Sequence, residues 1–165
     1  NTYGEQDLMQ ILRDYGELRS AGKIAQAIVK RRQEVKIETT GQLNEILMHF
    51  FSETNKNKLL AMAYQALRIE VNQELKALKS MLAQATDLLK PNGRLCVIAY
   101  HSLEDRLVKR FIKNGNFTNE PLKDFYGNSL SKLKQVGKPI VPNDNETKQN
   151  NRARSARMRI AQKVG

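Results

Sequence analysis

The stretch Arg94-Leu95-Cys96-Val97-Ile98-Ala99-Tyr100 is almost wholly apolar and is bounded by turn residues, the pattern of a short strand buried on both faces. It follows Lys90-Pro91-Asn92-Gly93. Proline there lacks an amide hydrogen and glycine tolerates a positive φ, so any preceding helix must stop. After it, Ser102 stands three residues before Asp105 in a capping arrangement, and Leu103, Leu107, Val108, Phe111 and Ile112 continue at helical spacing. Helix, turn, buried strand and helix form an α/β unit whose strand belongs in a parallel sheet. One such strand cannot make a sheet, and that constrains the chain more than any other feature. Its partners must be found elsewhere.

Few are visible. Leu8, Ile11 and Leu12 form one apolar stripe, and Leu18, Ala21, Ala25, Ile28 and Val29 a second, both at helical spacing. Thr39 precedes Gln42 by the capping-box interval and starts a third helix carrying Leu43, Ile46, Leu47 and Phe50. From Asn57 to Leu89 the apolar residues Leu60, Leu67, Val71, Leu75, Leu78, Leu82, Ala85 and Leu89 predict one long helix, or two with a bend. Residues 114–151 are polar and rich in Asn, Gly, Lys and Pro, so they read as loop, with Lys138–Pro142 at most a brief edge strand. Ala156, Met158 and Ile160 then alternate with Arg157 and Arg159, which predicts a terminal strand with its arginines facing outward. These are too few strands for a free-standing doubly wound domain, so part of the sheet is expected outside this chain. No GxGxxG loop is present, and the nine glycines are scattered singly.

Charge adds a second constraint. The 165 residues hold 28 basic and 17 acidic side chains, a net of +11, and 40% hydrophobic content supplies a core. Residues 1–105 carry 14 basic and 13 acidic groups, whereas residues 106–165 carry 14 and 4. Such a concentration favours a polyanion, with an anionic lipid surface as the alternative. No apolar stretch approaches the ~18–20 residues that span a bilayer. The single Cys96, inside an apolar run, reads as a buried thiol in a reducing compartment, and the chain as soluble and cytoplasmic. His49, His101 and Cys96 offer no metal-ligand spacing, so no structural zinc is expected.

Four segments occur in a distinctive order: Tyr15-Gly16-Glu17; Gln65-Ala66-Leu67-Arg68-Ile69-Glu70-Val71-Asn72-Gln73-Glu74-Leu75; His101-Ser102-Leu103-Glu104-Asp105-Arg106 with Val108-Lys109-Arg110-Phe111; and Asn151-Arg152-Ala153-Arg154-Ser155-Ala156-Arg157. In this register the chain resembles the bacterial small-subunit (16S) ribosomal RNA cytosine-N4 methyltransferases. The resemblance implies an α/β fold, part of a class I, Rossmann-like methyltransferase sheet with a small all-α inserted domain. Residues 1–56 would be the substrate-recognising insert and residues 57–165 the C-terminal part of the methyltransferase domain. It implies S-adenosyl-L-methionine as cofactor, with its glycine-rich loop and acidic ribose-binding residue in an N-terminal half absent here, so that this chain alone would be inactive. It implies small-subunit ribosomal RNA, or a ribosomal particle, as partner, with the target in the decoding region. One departure is Lys58-Leu59-Leu60-Ala61-Met62-Ala63-Tyr64, where the family often has a His-Pro-Ala-Thr-Arg run. Any role of that histidine or arginine does not carry over.

Methylating an exocyclic amine requires orienting the nitrogen, accepting its protons and excluding water. Ligands of open α/β sheets sit beyond the carboxyl ends of strands, which points to the turn Tyr100–Asp105. His101, Glu104 and Asp105 are the candidate catalytic groups, and Ser102 a helix cap. Tyr100 is placed to stack on a base. Lys109, Arg110, Arg152, Arg154, Arg157 and Arg159 are the candidate phosphate contacts, extended by Lys113 and, across the helical region, by Lys23, Lys30, Arg31 and Arg32. Arg68 and Asn72 share a helical face and are expected to anchor that helix to the sheet, with Glu74 on the opposite side. The residues by themselves leave two further classes open, a non-catalytic basic RNA-binding α/β module and a helical protein-interaction domain.

Overall fold

The computed structural model describes residues 1–165. It divides into two compact units, Asn1–Glu74 and Leu75–Gly165. No helix is long and apolar enough to cross a membrane.

The first unit is helical: α1 (Glu5–Asp14), α2 (Ala21–Glu34), α3 (Thr40–Met48) and α4 (Lys56–Asn72). The predicted stripes are its core, with Leu12, Ile24 and Leu47 fully buried among Leu8, Ile11, Ala25 and Ile46. The capping box starts α3: the Gln42 amide donates to Thr39 Oγ1, and the Thr39 amide donates to Gln42 Oε1. That reciprocal pair satisfies two otherwise orphaned backbone donors. Helix α4 packs in this unit through Ala63 and Ala66, so its residues, grouped with the α/β portion on sequence grounds, belong to the helical core. The apolar pattern misidentified its packed face, since Ala63, Ala66 and Ile69 are buried whereas Val71 is 80% exposed. Small residues win here because the chain after α1 approaches closely. A Cβ on Gly16 would lie 2.7 Å from Leu12 O, 3.1 Å from Met62 O and 3.2 Å from Ala66 Cβ. The helical stretch breaks in two at Gln73, which takes a left-handed φ of 53°, and α5 (Glu74–Leu88) follows.

The second unit holds most of α5 with β1 (Arg94–Ala99), α6 (Ser102–Asn114), β2 (Leu133–Gln135), α7 (Asp144–Gln149), a short 3₁₀ turn (Asn151–Ser155) and β3 (Arg157–Lys163). The strands form one sheet in the order β1-β3-β2, with β3 antiparallel to both neighbours. The parallel pairing expected of β1 is therefore not made within this chain. Val97 pairs with Arg159, Leu95 with Ala161 and Ala99 with Arg157, which puts these residues on one face. That face is covered by Leu82 of α5 and by Val108 and Ile112 of α6.

Three expectations fail together for one reason. Only one sheet face is covered, so β1 is buried at Val97 and Ala99 but exposed at Cys96 and Ile98, and the thiol is not buried. On β3 the polarity is inverted, because Arg159 and Ala161 face the helices and are buried while Met158 and Ile160 are only half-buried. The edge strand also falls elsewhere than Lys138–Pro142. It is Leu133–Gln135, with Ile140 making only an isolated bridge to Met158.

Candidate functional site

The turn after β1 is built around charged side chains. Its helix cap is His101, one residue before the serine that sequence spacing favoured: His101 is extended and its Nδ1 accepts from the Glu104 amide at 3.4 Å. This assigns the ring proton to Nε2, which is buried and lies 3.3 Å from Glu104 Oε1, near it but not aligned as a hydrogen bond. Glu104 Oε2 accepts from the Tyr100 amide at 2.9 Å. The imidazole and that amide together hold the Glu104 carboxyl below its ordinary value of 4.5, against the opposing effect of burial. Asp105 completes the frame. Its oxygens accept from Arg159 Nε at 2.7 Å and Nη2 at 3.0 Å, a bidentate pair whose side chains are 16% and 7% exposed. Arg157 Nη1 stands 4.0 Å from the same carboxylate. Both acidic groups also sit in the first turn of α6, where the helix dipole favours them.

The structure thus brings His101, Glu104 and Asp105 together, with Tyr100 beside them, 58% exposed at the carboxyl end of β1. Arg159 joins this frame from 54 residues away and is too buried to meet a phosphate on the outer surface. Lys109, Lys113, Arg152, Arg154 and Arg157 are exposed and Arg110 is half-buried. Of these only Arg157 makes an ion pair, the long contact to Asp105. The asymmetry of charge is sharper than the sequence division suggested. Leu75–Gly165 holds 18 basic and 7 acidic side chains, and Asn1–Glu74 holds 10 of each. Arg68, Asn72 and Glu74 do meet, but not as expected: Glu74 accepts from Arg68 Nε at 2.8 Å, Arg68 Nη2 at 3.1 Å and Asn72 Nδ2 at 3.1 Å. They tie the end of α4 to the first residue of α5, and Glu74 is on their side, not opposite.

Tyr126 and the phenylalanines are rings that could stack on a base but are expected from the sequence to be mostly core or interface, and one pair departs from that. Phe125 and Tyr126, in the segment read as loop, are 96% and 85% exposed on a hydrogen-bonded turn. The Lys-Asp-Phe-Tyr-Gly-Asn run was the available signal, since Asp and Gly at these positions make a tight turn that presents its central residues.

Comparison with known proteins shows the family. Residues 1–164 match the family model described as the MraW methylase family, and the chain belongs to that family. It is 56% identical over 164 residues to a protein of Flavobacterium johnsoniae named ribosomal RNA small subunit methyltransferase H, covering 99% of this chain and 54% of that relative. Proteins of the same name from Christiangramia forsetii and Bacteroides fragilis are 49% and 51% identical, each again over 99% of this chain and 54% of the relative. The chain spans about half the length of the curated relatives it matches.

Proposed function

We propose that this chain is part of an S-adenosylmethionine-dependent methyltransferase that modifies the N4 amine of a cytosine in the decoding region of small-subunit ribosomal RNA. The observation that carries the reading is the turn Tyr100–Asp105, fixed by Arg159 and Glu104 at the carboxyl end of β1, where open α/β sheets bind their ligands. The names of the relatives support the substrate class. In this reading Leu75–Gly165 is the C-terminal part of a class I, Rossmann-like sheet and the helical unit is an inserted domain that recognises substrate. Such an enzyme works where ribosomal particles are, in the cytoplasm.

The residues present do not fit the cofactor on their own. A cavity in the second unit, about 200 Å³ and lined by Phe111, Leu122 and Leu130 with Asp87 and Lys132, also touches Gly115 at the far end of α6. Thirteen helical residues, roughly 20 Å, separate it from the turn. The site for adenosylmethionine is therefore assigned to another part of the protein, and this chain alone is expected to be inactive.

What the chain's own groups do follows from their partners. Asp105 and Glu104 have their oxygens engaged by Arg159 and by the Tyr100 amide, so both position the turn. His101 accepts from the Glu104 amide through Nδ1 and keeps its ring proton on a buried Nε2 beside Glu104, so in this arrangement it too holds the turn in place and takes no proton. Tyr100 offers a ring face to the base, and Lys109, Arg110, Arg152, Arg154 and Arg157 grip phosphates. The test is methyl transfer from labelled adenosylmethionine to small-subunit RNA and particles by the intact protein, with the modified nucleoside identified by mass spectrometry. N4-methylcytidine from the decoding region is the expected product. Absence of transfer while RNA binding persists refutes the enzymatic reading and leaves the non-catalytic RNA-binding module.

A further inference from the structure

We infer that the turn Lys123–Ser129 is a stacking platform for a base of single-stranded RNA, formed by the rings of Phe125 and Tyr126. The inference rests on the RNA-binding part of the function proposed above and adds a site to it. Two adjacent aromatic side chains stand almost wholly in solvent, at 96% and 85% exposure, in edge-to-face contact at 5.6 Å with their planes 87° apart. Rings on a floppy loop would fold back onto the nearest apolar surface, but this loop is locked. Asp124 Oδ1 accepts from the Tyr126 and Asn128 amides at 2.9 and 2.8 Å, and Oδ2 accepts from Asn128 Nδ2 at 2.9 Å. The Asp124 amide donates to Asn128 O at 3.0 Å, and the Gly127 amide, at a φ of 86°, donates to Asp124 O at 3.1 Å. Below the tip, Lys123 bridges Ser129, and the Leu122 amide donates to Asn114 O at the end of α6. The backbone thus holds both rings outward before any partner arrives, which removes most of the ordering cost of binding.

Charge selects the partner. Lys123, Lys134 and Lys138 are exposed in this segment and make no ion pair. The carboxylate at the tip, Asp124, is absorbed by its own hydrogen bonds, those of Asn128 foremost, which hold its pKa below the ordinary carboxylate value. The unit that carries the turn has the whole cationic excess of the chain. A pair of exposed aromatic faces on a unit with this cationic excess suits a strand that offers both phosphates and flat bases. They suit an apolar protein surface less, because such a surface offers no counter-charge to that cationic excess.

The test measures binding of two labelled probes to the intact protein by fluorescence anisotropy, without methyl donor: single-stranded oligouridine, and an abasic ribose-phosphate chain of the same length. Phe125→Ala with Tyr126→Ala should weaken oligouridine binding about tenfold and leave the abasic chain and the salt dependence unaltered. Phe125→Trp should restore oligouridine affinity to the wild-type level in the presence of native Tyr126, and Phe125→Leu should not. Both rings are exposed, so circular dichroism melting should not move in any variant. Equal losses on the two probes, or none on oligouridine, overturn the assignment. The second of these is the outcome expected if the turn docks onto protein. Because no methyl transfer is read, the platform can fail while the enzymatic reading stands, and the reverse.

Discussion

Replacing Arg159 by leucine removes one half of a pair whose partner stays buried. The Asp105 side chain is only 16% exposed and gives both oxygens to Arg159, at 2.7 and 3.0 Å. Stranding one member of a buried pair costs about 3–5 kcal/mol. Two features move the expectation to the lower end: Arg157 Nη1 is 4.0 Å from the same carboxylate, and Asp105 lies in the first turn of α6, where the dipole contributes up to ~1 kcal/mol. A loss of about 3 kcal/mol follows. Arg159→Lys keeps the charge but loses the fork and should cost about half as much. Asp105→Leu combined with Arg159→Met leaves no buried charge and should fall within ~1 kcal/mol of wild type, a coupling that additive effects do not give. Urea unfolding followed by circular dichroism reads this, fitted as separate transitions because the chain has two compact units. Only the transition of Leu75–Gly165 should shift. A loss below ~1 kcal/mol for Arg159→Leu, or a double variant as unstable as the sum of its parts, would refute the reasoning.

Three other outcomes are expected. Gly16→Ala pushes a methyl group to 2.7 Å from a backbone carbonyl and should destabilise the helical unit by about 1–3 kcal/mol in the same urea assay. Glu104 has its folded pKa depressed, so its contribution is complete above its ordinary value of 4.5 and disappears as pH falls through the lower folded value. The stability gap between wild type and Glu104→Gln should therefore narrow as pH falls below the ordinary value of 4.5, and a gap that stays constant on acidification would show that the carboxylate is not stabilised by its partners. Arg152→Ala, Arg154→Ala and Arg157→Ala together should lower the slope of log affinity for single-stranded RNA against log salt by about 2, since each phosphate contact contributes ~0.7; an unaltered slope removes them from the interface.

Much of the helical structure in both units is legible in the sequence because its signals are local. The Leu8–Leu12 stripe, the Thr39–Gln42 box and the stop at Pro91–Gly93 each act within a few residues. What was misread depends on information that no window contains. Alternation along Arg157–Lys163 shows that the strand has two faces, but which face is covered is decided by α5 and α6, and arginine at Arg159 is tolerated there only because Asp105 meets it. The break at Gln73 carries neither glycine nor proline. Of the candidate site, the Tyr100–Asp105 turn was visible as the loop after an apolar strand, whereas its dependence on Arg159 was not, and Phe125 and Tyr126 were hidden by the general expectation that aromatic rings are covered.

The order of the strands sets the order of synthesis and assembly. Both β1 and β2 reach a neighbour only through β3, whose residues follow those of β1 by about 60 positions and are made last of the three. Until Arg157–Lys163 has emerged, the backbone of Arg94–Ala99 has no ladder to join within these residues and Asp105 has no guanidinium. A ribosome stalling anywhere before that segment would release a chain whose helical unit can be complete while β1 and β2 lack the strand that joins them, a prime substrate for chaperones or proteases.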